Sequence, residues 1–218
     1  YEAAQDVIDQ FKERAAIVWD TEVENVEYED GELRHASDTE LRMGFKEAAG
    51  MMARTGGPVV GRANINPTGQ GGSYSANIVD VEIDPETGKI DLLRYTAIQD
   101  VGTAVHIDNV EGQMQGGTVQ GIGWALNEEY FMGDDGAMRN VSLLDYRIPT
   151  ILDLPMIDTA IVEVPNPRHP FGVRGVGEAN ISPPLAAIAN AVFDATGVRM
   201  CSLPMNPASV LKALQEKE

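Results

Sequence analysis

The chain has 218 residues, of which 43% are hydrophobic and 23% charged, and its formal net charge is −18. This length allows one large domain or two small ones with a buried core, and the negative charge disfavours nucleic acid or an anionic membrane as a partner. A single cysteine, Cys201, excludes an internal disulfide, and three scattered histidines beside it leave no zinc ligand set.

The first predicted element is an amphipathic helix. Apolar residues recur at helical spacing from Glu2 to Ala16. No start signal precedes this pattern, and the first residue is Tyr1 rather than Met. We therefore expect the chain to be cut from a longer protein.

A hairpin and a short helix are predicted next. Alternating residues over 23–28, the turn Asp30-Gly31 and Leu33 indicate the hairpin. The helix is expected over 45–53. The glycine-rich stretch 66–72 is predicted to be a loop that connects these elements to the next strand.

The clearest β pattern is an antiparallel pair of strands. Ala76 to Ile83 and Ile90 to Ile98 flank a turn that contains proline and glycine. Acidic residues on the first strand lack the glycine and terminal glutamate of a calcium loop. We interpret them as a solvated strand face.

A glycine-rich helix is predicted over 110–126. Its five glycines each cost about 1 kcal/mol relative to alanine. Gly117 and Gly121 lie one turn apart, between Gln113 and Trp124. Two interpretations remain open: close packing against a neighbouring element, or a surface for a flat ligand to which Gln113 or Gln120 donates hydrogen bonds.

The last third of the sequence continues the mixture of strands and helices. The expected elements are a turn at 133–136, an extended segment at 142–150, a strand at 158–164, a helix at 185–195 that begins at Pro183-Pro184 and is capped by Gly197, and a helix at 207–214 with Asn206 as N-cap. Antiparallel hairpins alternating irregularly with helices indicate an α+β fold. We treat 1–218 as one domain, with 1–98 and 99–218 as alternative halves.

The loop before the 185–195 helix carries the candidate reactive group. It reads G-V-R-G-V-G-E-A-N-I-S-P-P over 172–184, and its three glycines lead to Glu178. Glycines allow positive φ and close approach of another body, so the loop could present Glu178 as a general base to a buried ligand. A glycine-rich turn with a solvated glutamate is the alternative.

Several motifs together resemble the C-terminal portion of the molybdopterin-binding subunit of the xanthine oxidase/aldehyde oxidase/carbon monoxide dehydrogenase family of molybdenum hydroxylases. They are V-D-V-E-I-D-P-E-T-G (79–88), D-V-G (100–102), G-Q-M-Q-G-G-T-V-Q-G-I-G-W-A-L-N-E-E (112–129), D-Y-R-I-P (145–149), G-V-R-G-V-G-E (172–178) and P-P-L-A-A-I-A-N-A-V (183–192). The resemblance covers nearly the whole chain. The residues A-N-I-S after Glu178 are similar to the carbon monoxide dehydrogenase and bacterial aldehyde dehydrogenase branch.

The resemblance implies roles for particular residues. It makes Glu178 the catalytic base, which takes a proton from the oxygen ligand of molybdenum, and it makes Gln113 a hydrogen-bond partner of the pterin. Gly117 and Gly177 are assigned to the same cofactor site, and Ser182 is expected to shape the pocket. The pterin dithiolene holds the metal in this family, so the resemblance implies no metal-ligating side chain here.

The resemblance also implies partners. The family's subunit is several times longer, so the cofactor, expected as molybdopterin cytosine dinucleotide, would be shared with the remainder of the molybdopterin subunit. Iron–sulfur and FAD subunits or domains would pass electrons on, and the substrate would be an aldehyde, N-heterocycle or similar small molecule. His106 departs from the family, whose members often have asparagine there.

No apolar run approaches the ~20 residues that cross a bilayer and no signal peptide is visible, so we expect a cytoplasmic protein.

Two other functions compete with this interpretation. A non-catalytic interaction domain could retain the same fold without the chemistry. Mononucleotide binding by Gly172 to Gly177 is disfavoured, because no strand-turn-helix of the required form leads to an acidic ribose partner.

Overall fold

The computed structural model describes residues 1–65 and 71–217. The chain forms two compact units, Tyr1–Thr68 and Gly69–Glu218. The alternative division at 98/99 does not match this boundary, because residue 98 lies inside the strand Ile90–Asp100. A cut there would separate residues that share one hydrogen-bonded ladder.

The first unit packs helix α1 (Glu2–Trp19) with a three-stranded antiparallel sheet. The strands are β1 (Val26–Glu29), β2 (Glu32–His35) and β3 (Arg42–Gly44), followed by the short helices α2 (Phe45–Gly50) and α3 (Met52–Thr55). The predicted first helix and hairpin are confirmed. The helix expected over 45–53 is divided at Met51, which ends α2 and precedes α3.

The second unit contains a mixed sheet. Strand β4 (Tyr74–Ile83) pairs antiparallel with β5 (Ile90–Asp100), which pairs in parallel with β6 (Ile157–Val162). Helix α4 (Ile107–Leu126) lies in the connection between β5 and β6. The α+β fold is therefore confirmed. Of the loop predicted over 66–72, residues 66–70 lie outside the described residues, and 71 and 72 have no regular structure.

Two further helices complete the second unit. Helix α5 (Pro183–Thr196) ends at Gly197 in the left-handed conformation, and α6 (Pro207–Lys217) begins after Asn206. The Asn206 side chain accepts a hydrogen bond from the Ser209 N–H at 2.9 Å, as expected of an N-cap. The core of this unit includes the fully buried side chains of Tyr95, Met114, Ile122, Ile188 and Val192.

Within the segment expected to be extended at 142–150, residues 142–146 form turns and 147–150 have no regular structure. The Ser142 carbonyl accepts from the N–H groups of Asp145 and Tyr146, and the Ser142 hydroxyl bonds the Asp145 carboxylate. Serine and aspartate favour such local bonds over a strand ladder. In the part of the chain that is described, no helix has the length and apolar character that crossing a membrane requires.

Candidate functional site

The loop that carries Glu178 is anchored by a largely buried ion pair. Arg174 Nε lies 3.1 Å from Asp100 Oδ2, with the two side chains only 10% and 12% exposed. Arg174 also donates to the carbonyls of Val164 and Gly72. The other Asp100 oxygen accepts from the N–H groups of Gly102 and Val164. The two motifs D-V-G and G-V-R-G therefore form one anchor.

Backbone contacts explain why the anchor needs glycine. Gly102 has φ +72°, and a Cβ there would lie 2.2 Å from the Gly172 carbonyl oxygen. That carbonyl accepts from the Thr103 N–H at 3.1 Å, while the Arg174 N–H donates to Val101 at 3.0 Å. A side chain at Gly102 would be strained and would push the two segments apart.

Glu178 follows this anchor in a short 3-10 helix, Gly177–Asn180. Its side chain is exposed, and among the described residues no hydrogen bond or ion pair reaches its carboxylate. Asn180, two residues later, is completely buried. The backbone of Glu178 is thus held by its neighbours, while its carboxylate is not engaged by any described residue.

Two glycines of α4 allow the loop to approach the helix. A Cβ on Gly117 would lie 2.2 Å from the Gly177 carbonyl oxygen, and a Cβ on Gly121 would lie 2.2 Å from the Ile181 carbonyl oxygen. Both glycines are buried. At these two positions the structure shows close packing of the helix against the loop, and the cofactor role of Gly117 stays a prediction. Gly117 permits the backbone contact with the Glu178 loop and presents no open surface of its own.

Gln113 lies beside the same loop. Its side-chain oxygen is 2.8 Å from the point where a Cβ on Gly177 would stand. Gln113 is exposed, and so are Gly112 and Gly116, where a Cβ would meet no atom of the described residues within 4 Å. Helix α4 therefore buries one glycine face against the loop and leaves a second, amide-bearing face open next to it.

A cleft continues this open face toward the end of α4. It encloses about 640 Å³ and is lined by Gln120, Trp124, Glu128, Tyr146, Ile181 and Leu203, among others. The Tyr146 hydroxyl donates to Glu128 at 2.7 Å. This hydrogen bond, with burial and the Glu128 charge, raises the pKa of Tyr146 to about 12. No sequence pattern indicated this cleft, since its walls come from four separate segments.

The departure at His106 has a local explanation. His106 is the N-cap of α4, and its Nδ1 accepts from the Asn109 N–H at 3.3 Å. Asparagine caps a helix in the same way. The histidine thus caps the N-terminus of α4. Ser182 is the N-cap residue of α5, and its side chain makes no capping hydrogen bond.

The described side chains form no metal-binding cluster. Within residues 1–65 and 71–217, no three histidine, cysteine, aspartate or glutamate side chains are grouped closely enough to hold an ion. The open face beside Glu178 offers amide groups and exposed backbone instead.

The most consequential residues missed in the sequence are Gln99 and Asn180. Both are buried and bonded to each other through their side-chain amides. Gln99 continues the buried alternation of Tyr95 and Ala97 along β5. A polar side chain on a buried strand face requires a partner, and that position was a signal available in the sequence.

Comparison with known proteins gives consistent matches. The family model described as "Molybdopterin cofactor-binding domain" matches residues 1–155. The xanthine dehydrogenase molybdenum-binding subunit of Escherichia coli O157:H7 is 38% identical over 153 residues, which are 70% of this chain and 20% of that protein. The aldehyde oxidoreductase of Megalodesulfovibrio gigas is 36% identical over 143 residues, 65% of this chain and 15% of that protein.

A solved structure extends the likeness over the Glu178 loop. Quinoline 2-oxidoreductase from Pseudomonas putida 86 matches this chain with a TM-score of 0.78 and 30% sequence identity. The match covers 98% of this chain and 28% of the quinoline 2-oxidoreductase chain. The chain thus spans about a fifth of the length of the curated relatives it matches. Glu178 lies beyond the residues of the family-model match.

Proposed function

We propose that this chain forms the part of a molybdenum hydroxylase active centre that carries the catalytic base. The chain belongs to the family of molybdopterin cofactor-binding domains found in molybdenum hydroxylases. Glu178 is the base, and Gln113 hydrogen-bonds the pterin. The substrate is an aldehyde, an N-heterocycle or a similar carbon centre, which is hydroxylated with oxygen derived from water. The chain supplies one wall of the site and is incomplete alone.

The observation that carries this proposal is the contact between Gln113 and the Glu178 loop. The Gln113 oxygen approaches the Cα side of Gly177, the residue immediately before Glu178. An amide that binds a cofactor on the open face of α4 would therefore hold that cofactor beside the loop that carries Glu178. A general base must lie within hydrogen-bond reach of the proton it takes, so a cofactor at this loop is what the proposed role requires.

The open face of α4 fits an organic cofactor. Gly112 and Gly116 face open space among the described residues, although each weakens the helix by about 1 kcal/mol. Intrachain packing does not account for them, whereas close approach of a flat group would. When bound, molybdopterin would supply a redox-active molybdenum centre. The chain's own contribution is to orient the pterin through Gln113 and to accept a proton at the Glu178 carboxylate.

The remainder of the molybdenum subunit is the partner this proposal requires. The segment from 141 to 156 exposes an unusual number of large apolar side chains. Val141, Leu143, Leu144, Ile151, Leu152 and Met156 are each at least 77% exposed. Exposed large apolar side chains concentrated in one segment are typical of an interface. We assign it to the polypeptide that accounts for the greater length of the relatives.

The cofactor form and the electron acceptors belong to the same proposal. We expect the cytosine dinucleotide form of molybdopterin, with iron–sulfur and FAD groups on partner subunits or domains. Relatives named as subunits, such as the gamma subunit of the 6-hydroxypseudooxynicotine dehydrogenase complex of Paenarthrobacter nicotinovorans, support a multi-subunit assembly.

The test is the molybdenum content of the holoenzyme that contains this chain. Gln113→Ala is expected to lower the molybdenum and pterin bound per enzyme several-fold, because it removes the amide that contacts the pterin. Gln215→Ala, on the exposed face of α6, is the matched control and should retain both. Full cofactor content in Gln113→Ala would contradict the assignment, and a wild-type assembly without molybdenum would favour the non-catalytic domain.

A further inference from the structure

The side chain of Gln99, on strand β5, forms a hydrogen bond with the loop that carries Glu178. Gln99, which is 1% exposed at the end of β5, donates from Nε2 to the Gly175 carbonyl at 2.9 Å. The Ser73 hydroxyl donates to the same carbonyl at 2.7 Å. This carbonyl, three residues before Glu178, therefore has two donors aimed at it.

The oxygen of the Gln99 side-chain amide bonds Asn180, which follows Glu178 in the same loop. Asn180 Nδ2 donates to Gln99 Oε1 at 2.5 Å, and Asn180 is completely buried. Asn180 Oδ1 accepts from the Ser75 hydroxyl. Behind them, Asn77 donates to Ser75 and accepts from the Tyr95 hydroxyl at 2.7 Å.

The direction of these hydrogen bonds is fixed by chemistry. A backbone carbonyl can only accept, so Gln99 must turn its NH2 group toward Gly175 and its oxygen toward Asn180. Asn180 must then donate to Gln99 and accept from Ser75. A buried amide in the wrong orientation would leave polar atoms without hydrogen-bond partners, which is strongly unfavourable in the interior. The network thus specifies one arrangement of the loop.

We propose that Gln99 and Asn180 are positioning residues that fix residues 175 and 180 to β5 and thereby aim the Glu178 carboxylate between them. Both side chains are buried and bond the loop and its neighbours rather than solvent. The purpose assigned to the network rests on the proposed role of Glu178, while the anchoring itself does not. An apolar pair would fill the same space but would leave the Gly175 carbonyl with the Ser73 hydroxyl as its one remaining donor among these contacts.

The variant Gln99→Glu tests the anchoring through its pH dependence. An ionised carboxyl can accept from Asn180 but cannot donate to Gly175, whereas a protonated carboxyl does both, as the amide does. Burial raises the pKa of a carboxyl at this depth, so protonation should be reached in mildly acidic solution. The nearest ionisable groups along the chain are the Asp100–Arg174 pair and Tyr95, whose pKa is raised by burial.

Amide hydrogen exchange of the full chain provides the readout, without cofactor or turnover. In Gln99→Glu at about pH 8, we expect the amides of Ala179 and Ile181, which bond back to Val176 and Glu178, to exchange about tenfold faster than in wild type at the same pH. At about pH 5 the difference should disappear. Gln215→Glu, which adds the same charge at an exposed site, should show neither effect.

Each other outcome counts against the proposal. Unchanged exchange at pH 8, a loss that persists at pH 5, or a uniform increase throughout β4, β5 and β6 would show that Gln99 does not anchor this loop specifically. If Gln99→Glu does not fold at pH 8, Gln99→Met decides. It removes the amide donor to the Gly175 carbonyl without adding charge, and unchanged exchange in residues 173–182 would overturn the proposal.

Turnover separates this inference from the proposed function. In the holoenzyme, Gln99→Glu should lower kcat at high pH with recovery at low pH relative to wild type, while KM is retained. If Glu178→Gln left turnover unchanged, the base role would fail, yet the exchange result would still stand. Local loss of protection with normal kcat would instead show an anchored loop whose position does not limit the reaction.

Discussion

The side-chain oxygen of Gln113 lies 2.8 Å from the position that a Cβ on Gly177 would occupy. This contact joins the open face of α4 to the residue just before Glu178. It places the proposed pterin ligand and the proposed base on adjoining surfaces of one unit, although 65 residues separate them in the sequence.

A methyl group at this contact should displace the Gln113 amide. Gly177→Ala is expected to alter the free energy of unfolding by less than about 1 kcal/mol, because the nearest atom is the end of a flexible side chain. The holoenzyme should nevertheless bind less molybdenum. Gly175→Ala is the control, since a Cβ there meets nothing within 4 Å. Equal molybdenum content in both variants would show that the Gln113 position is unimportant.

Two adjacent glycines of α4 should respond in opposite ways. Gly117→Ala would drive a Cβ into the Gly177 carbonyl and should destabilise the chain by about 1–3 kcal/mol. Gly116→Ala, which faces open space, should stabilise it by up to about 1 kcal/mol through helix propensity. Urea unfolding of the two variants provides the comparison. In the holoenzyme Gly116→Ala should lower cofactor content, because the methyl group occupies the open face.

The ion pair that anchors the loop should contribute far more than an exposed one. Arg174→Met leaves Asp100 buried without its cation and is expected to cost about 3–5 kcal/mol. Arg94→Met breaks the exposed contact with Asp158 and should cost less than about 1 kcal/mol. Denaturant midpoints of both variants measure the difference. Similar losses would mean that the Asp100–Arg174 pair is no more than a surface contact.

The Tyr146–Glu128 hydrogen bond predicts an alkaline transition. The pKa of Tyr146 is raised to about 12 in the folded chain, whereas an unfolded tyrosine titrates near 10. The contribution of this bond to stability is therefore complete below about pH 10 and is lost as pH rises toward 12. The ultraviolet difference between wild type and Tyr146→Phe should report ionisation near pH 12. In a Glu128→Gln background, ionisation should move toward pH 10.

Local patterns were enough to predict most elements of the fold. Alternation identified β4 and β5, and turn and capping residues identified the ends of α5 and α6, because these signals act between residues close in sequence. Residues 142–146 were predicted to be extended and form turns instead, since the side chains there bond locally and the apolar residues face outward. Because these apolar side chains are exposed, burial gave no alternating pattern to read.

The candidate site was predictable only in part. The spacing within α4 indicated two interpretations for its glycines, and the structure assigns packing to Gly117 and Gly121 and open space to Gly112 and Gly116. Spacing alone could not separate them, because the distinction depends on a loop more than fifty residues away. The Gln99–Asn180 pair was likewise invisible as a pair, although each member was a polar residue at a position that required a partner.

The most direct test of the central claim is turnover per bound molybdenum in the holoenzyme carrying Glu178→Gln. Removal of a general base should reduce this rate by about 10²–10⁴-fold while leaving molybdenum content unchanged. Glu82→Gln, an exposed residue on β4, should behave as wild type. A Glu178→Gln enzyme that turns over at the wild-type rate with its molybdenum in place would contradict the account.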